Sequence, residues 1–87
     1  MVNDTPSARR YLLHHCHDAE ECGVAFAAFK GHPSPLRHKV TVASCRSGGH
    51  AIWWLVEAAS PEEALALLPF FVAERATVVE VREVPIP

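Results

Sequence analysis

Four stretches of strand-like apolar patterning and two of helical period divide this chain. Arg10 to Cys16, led by Tyr11-Leu12-Leu13, reads as a first strand. The period then changes. Cys22, Ala25, Phe26 and Phe29 share one helical stripe, with Asp18 as N-cap and Glu21 completing a capping-box arrangement. This helix is expected to run to about Lys30, because Gly31 suits the C′ position and Pro33 and Pro35 forbid continuation. His38 to Cys45 is β-branched and alternating and predicts a second strand. Ser47-Gly48-Gly49 predicts a tight turn, and His50 to Glu57 a third strand. Ser60 as N-cap, Pro61 at N1 and Glu62-Glu63 behind them mark a second helix start, with Ala64, Leu65 and Leu68 as its apolar stripe. Pro69 ends or kinks that helix, Phe70 to Arg75 forms a further short turn or helical piece, and Ala76 to Val84 is the fourth strand.

The order βαββαβ predicts an α+β, ferredoxin-like domain: a four-stranded antiparallel sheet with two helices on one face. The third strand is apolar on both sides, with Trp53 and Leu55 on one and Ile52, Trp54 and Val56 on the other. Two helices cover only one face. The second apolar face therefore predicts a homodimer packed through the sheet, as a dimeric α/β barrel.

Length and charge narrow the function classes. The 87 residues make one small domain, taken as residues 9–87 behind a flexible lead-in at residues 1–8. A formal net charge of −2 with interspersed signs argues against nucleic acid as a partner. The N-terminal residues lack an apolar h-region and no apolar run reaches membrane-spanning length, so a cytoplasmic location is the expectation. In a reducing compartment the three cysteines stay thiols, ligands or nucleophiles.

The candidate chemistry lies in His14-His15-Cys16-His17, three imidazoles and a thiol in four residues. In the expected topology, strand three lies antiparallel between strands one and two. The end of strand one, the start of the first helix, the end of strand two and the start of strand three then share one edge. His14, His15, Cys16, His17, Cys22, Cys45 and His50 fall there, while His32 and His38 fall at the opposite end. Alternation puts His15 and His17 on one face and His14 and Cys16 on the other, so a site uses one pair or the other. Cys45 and His50 share a face in either hairpin register considered. Cys22, in the first turn of its helix, is expected to have its thiol pKa lowered by the helix dipole.

This ligand set suits nickel, copper, zinc or iron. The first functional expectation is a metal-binding protein for buffering, sensing or delivery, with a metal-receiving protein as a further partner. A second is a small α/β-barrel enzyme with a Cys45–His50 thiolate–imidazolium pair in its cleft. A third is an interaction module in which the cysteines are core residues and the histidines solvated strand ends. A Cys16–Cys22 disulfide follows only if both sit on the helix-covered face.

The segments WWLVEAASPEEALALL and ATVVEVREV resemble small stand-alone bacterial ferredoxin-like proteins. One branch of these binds nickel at strand-derived histidines, and related dimeric α/β-barrel families include small monooxygenases and muconolactone isomerase-like enzymes. The resemblance implies the fold and the dimer. It carries over no functional residue, since neither HHCH nor SCRSGGH matches a motif of those families.

Overall fold

Strand β1 (Arg9–Cys16) is the organising element: in the computed structural model, which describes residues 9–87, it pairs on both sides. On one side it runs antiparallel to β3 (Ala51–Ala58), with Leu13 opposite Trp54 and His15 opposite Ile52. On the other it runs antiparallel to β4 (Ala76–Val81), with Leu13 opposite Val78 and His15 opposite Ala76. A short β2 (Val42–Ala43) pairs with the outer side of β3, giving the sheet order β2-β3-β1-β4. Three short helices complete the α+β domain: α1 (Cys22–Ala27), α2 (Pro61–Leu65) and α3 (Phe70–Ala73). The lead-in expected over residues 1–8 lies outside the described residues.

Pairing and period-2 alternation sort the side chains. Tyr11, Leu13 and His15 share a face with Ile52, Trp54 and Val56, and all six are buried. Ala64 of α2, Leu68 and Val72 of α3 close over them. The other face carries Leu12, Trp53, Leu55, Val42 and Val79. Leu55 is 60 % exposed and Val42 67 %, so one face of this sheet is the core and the other is open.

The elements differ from expectation where the backbone has special demands. The second strand, expected over His38 to Cys45, shrinks to two residues. His38 sits at φ +69°, a left-handed conformation that interrupts extended chain, and Val40 is fully exposed. The long first helix becomes a 3-10 turn (Ala19–Glu21) followed by the six residues of α1. Asp18 N–H donates to Glu21 Oε1 at 3.0 Å, fixing the chain's entry into that turn. Phe26, assigned to the inward stripe, is 45 % exposed, because so short a helix presents only Ala25 to the core. Ser60 caps α2 as expected, accepting from Glu63 N–H at 3.1 Å. Pro69, at the N-cap of α3, separates the last two helices.

The tight Gly-Gly hairpin turn is also replaced. Cys45–Ser47 forms a 3-10 turn that ends on Gly48 at φ +85°. Gly49 lies against the Ser44 side chain so closely that a Cβ there would overlap its hydroxyl. That hydroxyl accepts from Ala51 N–H at 3.1 Å and so fixes the start of β3. Gly49→Ala is therefore expected to destabilise the fold by about 1–2 kcal/mol, by displacing a partly buried hydrogen bond. A urea midpoint equal to that of the parent protein would refute the close approach as a constraint.

Candidate metal centre

His17 is where strand regularity ends and the site begins. Its backbone N–H donates to the His50 carbonyl at 3.1 Å, so the β1–β3 pairing continues one step beyond the strands. This step keeps His17 on the covered face with His15 and places His50 beside it. His50 itself sits at φ +53°, a left-handed conformation uncommon outside glycine, which turns its ring back over the end of the sheet. Asp18 and the 3-10 turn then bring Cys22 across from helix α1, and the 3-10 turn after β2 brings Cys45.

The four side chains meet. One nitrogen or sulfur atom from each of His17, Cys22, Cys45 and His50 lies within 4.8 Å of the other three. His17 Nε2 is 3.2 Å from Cys22 Sγ and 3.4 Å from Cys45 Sγ, and His50 Nδ1 is 3.1 Å from Cys22 Sγ. His17 is buried and the other three are half-buried. An ion with about 2.3 Å bonds to sulfur and about 2.0 Å bonds to nitrogen needs donor atoms about 3.3–3.8 Å apart in a tetrahedron. The nitrogen–sulfur contacts are within a few tenths of an ångström of that spacing.

Behind this group lies a second layer. His15, fully buried, places Nε2 3.0 Å from His17 Nδ1 and Nδ1 3.0 Å from the Val72 carbonyl of α3. Arg75, just past α3, reaches Glu21 Oε2 at 3.8 Å, stacks on the Phe71 ring at 3.9 Å and donates to the Phe71 carbonyl at 3.1 Å. Helix α3 is thus tied to the site through a histidine and through an ion pair.

Of the seven residues singled out in the sequence, the structure brings together His17, Cys22, Cys45 and His50, and places His15 one layer behind them. His14 and Cys16 point to the open face and stay outside the cluster. There His14 stacks on Trp53 with centroids 5.1 Å apart, and Cys16 Sγ is 3.4 Å from His14 Nε2. All three cysteines are free thiols, and Cys16 lies on the opposite face from Cys22, which removes the condition for a Cys16–Cys22 disulfide. The expectation of a lowered Cys22 thiol pKa is corrected. Burial, a hydrogen bond with Cys45 and the proximity of the Cys45 charge push it up, and these outweigh the dipole of a six-residue helix. Arg75 and the Val72 carbonyl were not singled out from sequence; a backbone acceptor carries no residue-type signal, and Arg75 shows none beyond a terminal helix charge.

No family model, curated protein or solved structure matches this chain. No helix among the described residues is long and apolar enough to cross a membrane.

Burial, followed by the charges of His17 and Arg75, pushes His15 below its ordinary value of 6.5, against the opposing effect of its bond to Val72. The unfolded chain then binds more protons than the folded one as pH falls through that range, so stability is lost on acidification. The urea midpoint of metal-free protein is expected to be lower near about pH 5 than near about pH 7.5, either side of the ordinary imidazole value. An unchanged or higher midpoint at the acidic pH would contradict a buried, neutral His15.

Proposed function

We propose that this protein binds one transition-metal ion, and that zinc fits the donor set best. His17 Nε2, Cys22 Sγ, Cys45 Sγ and His50 Nδ1 are the ligands. The observation that carries the reading is the convergence of two imidazole nitrogens and two thiols within 4.8 Å of one another, with three nitrogen–sulfur contacts of 3.1–3.4 Å. Two nitrogens and two sulfurs suit a tetrahedral ion with no preferred d-electron geometry, which is zinc's preference. Nickel and copper(II) favour planar or tetragonal sites with nitrogen and oxygen donors, and this set is neither. Iron–sulfur chemistry generally uses cysteine alone or cysteine with histidine around a cluster, and four donors this close leave room for one ion only.

The enzyme reading has less support. Each thiol of the cluster has an imidazole within 3.4 Å, as a nucleophile would need, but the donors converge on one another and not on a cleft. The open depression beside the site is lined by Cys16, His17, Asp18, Glu21 and Arg75 and reaches only one member of the cluster. Half-buried ligands suit an ion that exchanges with the surroundings, which supports buffering or delivery to a receiving protein over a sealed structural site. Free thiols at the site fit a reducing compartment such as the cytoplasm.

The exposed face supports a second part of the reading, a homodimer in the manner of a ferredoxin-like α/β barrel. Leu12, Leu55, Val42 and Val79 form its apolar centre. Arg10, with Glu57 at 3.9 Å and Glu83 at 2.9 Å, puts both signs of charge on its rim, which a second copy can match. Only ten apolar residues are buried in the described chain and three of them are alanine, so a further buried face would add to a small core.

Protein purified without a histidine tag is expected to hold one zinc per chain by elemental analysis. Cobalt substitution should give the visible absorption of a tetrahedral thiolate site. Cys45→Ala and His50→Ala should weaken binding by more than the about 10–100-fold that changes outside the ligand shell produce. Affinity should also fall on acidification, because binding displaces protons from both thiols. Neither native nor reconstituted protein holding stoichiometric metal would end this reading. For the dimer, sedimentation should give twice the chain mass, and Leu55→Glu should give monomers that still bind metal. A parent protein sedimenting as a monomer would remove the dimer and leave the metal site standing.

A further inference from the structure

We infer that His15 is the positioning residue of this site: it holds His17 in the one neutral tautomer whose Nε2 lone pair faces the two thiols. The inference rests on the metal-binding reading for its consequence, and on the hydrogen bonds alone for its content.

The Val72 carbonyl belongs to the last turn of α3, where carbonyl oxygens retain capacity for a further donor. A carbonyl only accepts, so the contact of 3.0 Å makes His15 Nδ1 the donor. In a neutral imidazole the other nitrogen is then a bare acceptor. His15 Nε2, 3.0 Å from His17 Nδ1, accepts, and His17 Nδ1 must carry the proton. His17 Nε2 is left with its lone pair, 3.2 Å from Cys22 Sγ and 3.4 Å from Cys45 Sγ. One carbonyl thus fixes two tautomers in series, and each ring has a single arrangement that satisfies both of its contacts. His15 is fully buried and both of its ring nitrogens are engaged at 3.0 Å, so water offers no competing partner to reverse the order.

Histidines that bind metals generally send their remote N–H to a carboxylate, a carbonyl or water. Here a second histidine stands in that place and relays the order to the backbone of α3. The consequence is a preorganised ligand. Without His15, His17 divides between two tautomers and must desolvate a lone N–H, and part of the binding free energy goes into selecting one. A second consequence is mechanical. The relay and the Arg75–Glu21 pair both run from the α3 end of the chain to the site, so seating of α3 and metal affinity are coupled.

The test has two arms. Long-range proton–nitrogen NMR on metal-free protein at about pH 8.5, two units above the ordinary imidazole value, should show His17 as a single Nδ1–H tautomer and His15 as Nδ1–H. His17 found as Nε2–H, or averaged between both forms, would overturn the inference whether or not the protein binds metal. In the second arm, zinc affinity is measured by chelator competition. His15→Phe, which keeps the ring and removes both nitrogens, should weaken binding about 10–100-fold, the range typical of outer-shell partners. His15→Gln, whose amide oxygen can take the place of Nε2, should recover part of the loss. The cobalt spectrum should remain tetrahedral in both variants, since all four ligands are present. Equal zinc affinity in the parent and His15→Phe proteins would refute the positioning role and leave the metal site intact. If His15→Phe fails to fold, the NMR arm and His15→Gln decide. Absence of zinc binding in the parent would count against the metal reading alone, since the tautomer is read without metal.

Discussion

Everything that distinguishes this molecule depends on the register between β1 and β3. Leu13 opposite Trp54 and His15 opposite Ile52 put one alternate set of residues into the core and the other on the open face. A slip of one residue would send Leu13 and Tyr11 to solvent and bring His14 and Cys16 inward. The pairing is fixed by apolar burial of Tyr11, Leu13, Ile52, Trp54 and Val56, each at most 7 % exposed. The chemistry is therefore a passenger of the core. His17 and His50 reach the covered side because they continue a pattern that Leu13 and Trp54 enforce. The hydrophobic effect by itself assembles the donor group.

The cluster also has to be tolerable as a set of closely packed donors. Four soft donors packed together would be costly if two were thiolates, and burial together with the Cys45 charge holds the Cys22 thiol above its ordinary pKa. A neutral thiol can donate to an imidazole lone pair, so the donors satisfy one another at 3.1–3.4 Å. Under the proposed reading, a divalent cation would replace that neutral network with two thiolates, and the two thiol protons would leave. The hydrogen-bonding roles are already arranged in the sense that such binding would require.

Much of this was legible in the sequence, and what was not has physical causes. The α+β class and the four-stranded antiparallel sheet followed from apolar period and from the helix start at Ser60-Pro61, whereas Gly48-Gly49 marked a break between strands but not its 3-10 form. The edge shared by His14 to His17, Cys22, Cys45 and His50 followed from topology, because antiparallel neighbours return their ends to the same side. Parity separated His15 and His17 from His14 and Cys16, yet only the register could say which pair faced inward. Three things were hidden. His38 and His50 adopt left-handed backbone, which cuts β2 short in one case and turns a ligand ring in the other, and neither histidine advertises it. The thiol pKa of Cys22 depends on Cys45, 23 positions away along the chain by the numbering. The partner of His15 is a main-chain oxygen, invisible to any reading of residue types.

The two faces of the sheet then divide the work of a small chain. The covered face holds the core and, at its end, the donor group. The open face holds Leu12, Leu55, Val42 and Val79 and, at the same end, His14 stacked on Trp53. An ion that binds only the folded chain adds about 4 kcal/mol when its free concentration is a thousand times the dissociation constant. For a domain whose total stability is of the order of 5–15 kcal/mol, that is a large share. A second copy on the open face would add through buried area, from the opposite side and without touching a ligand. Because α3 ends on the Val72 carbonyl and Arg75, its seating joins the core to the donors. Loss of the ion proposed for this site should therefore loosen the α3 end of the molecule before it disturbs β1 and β3.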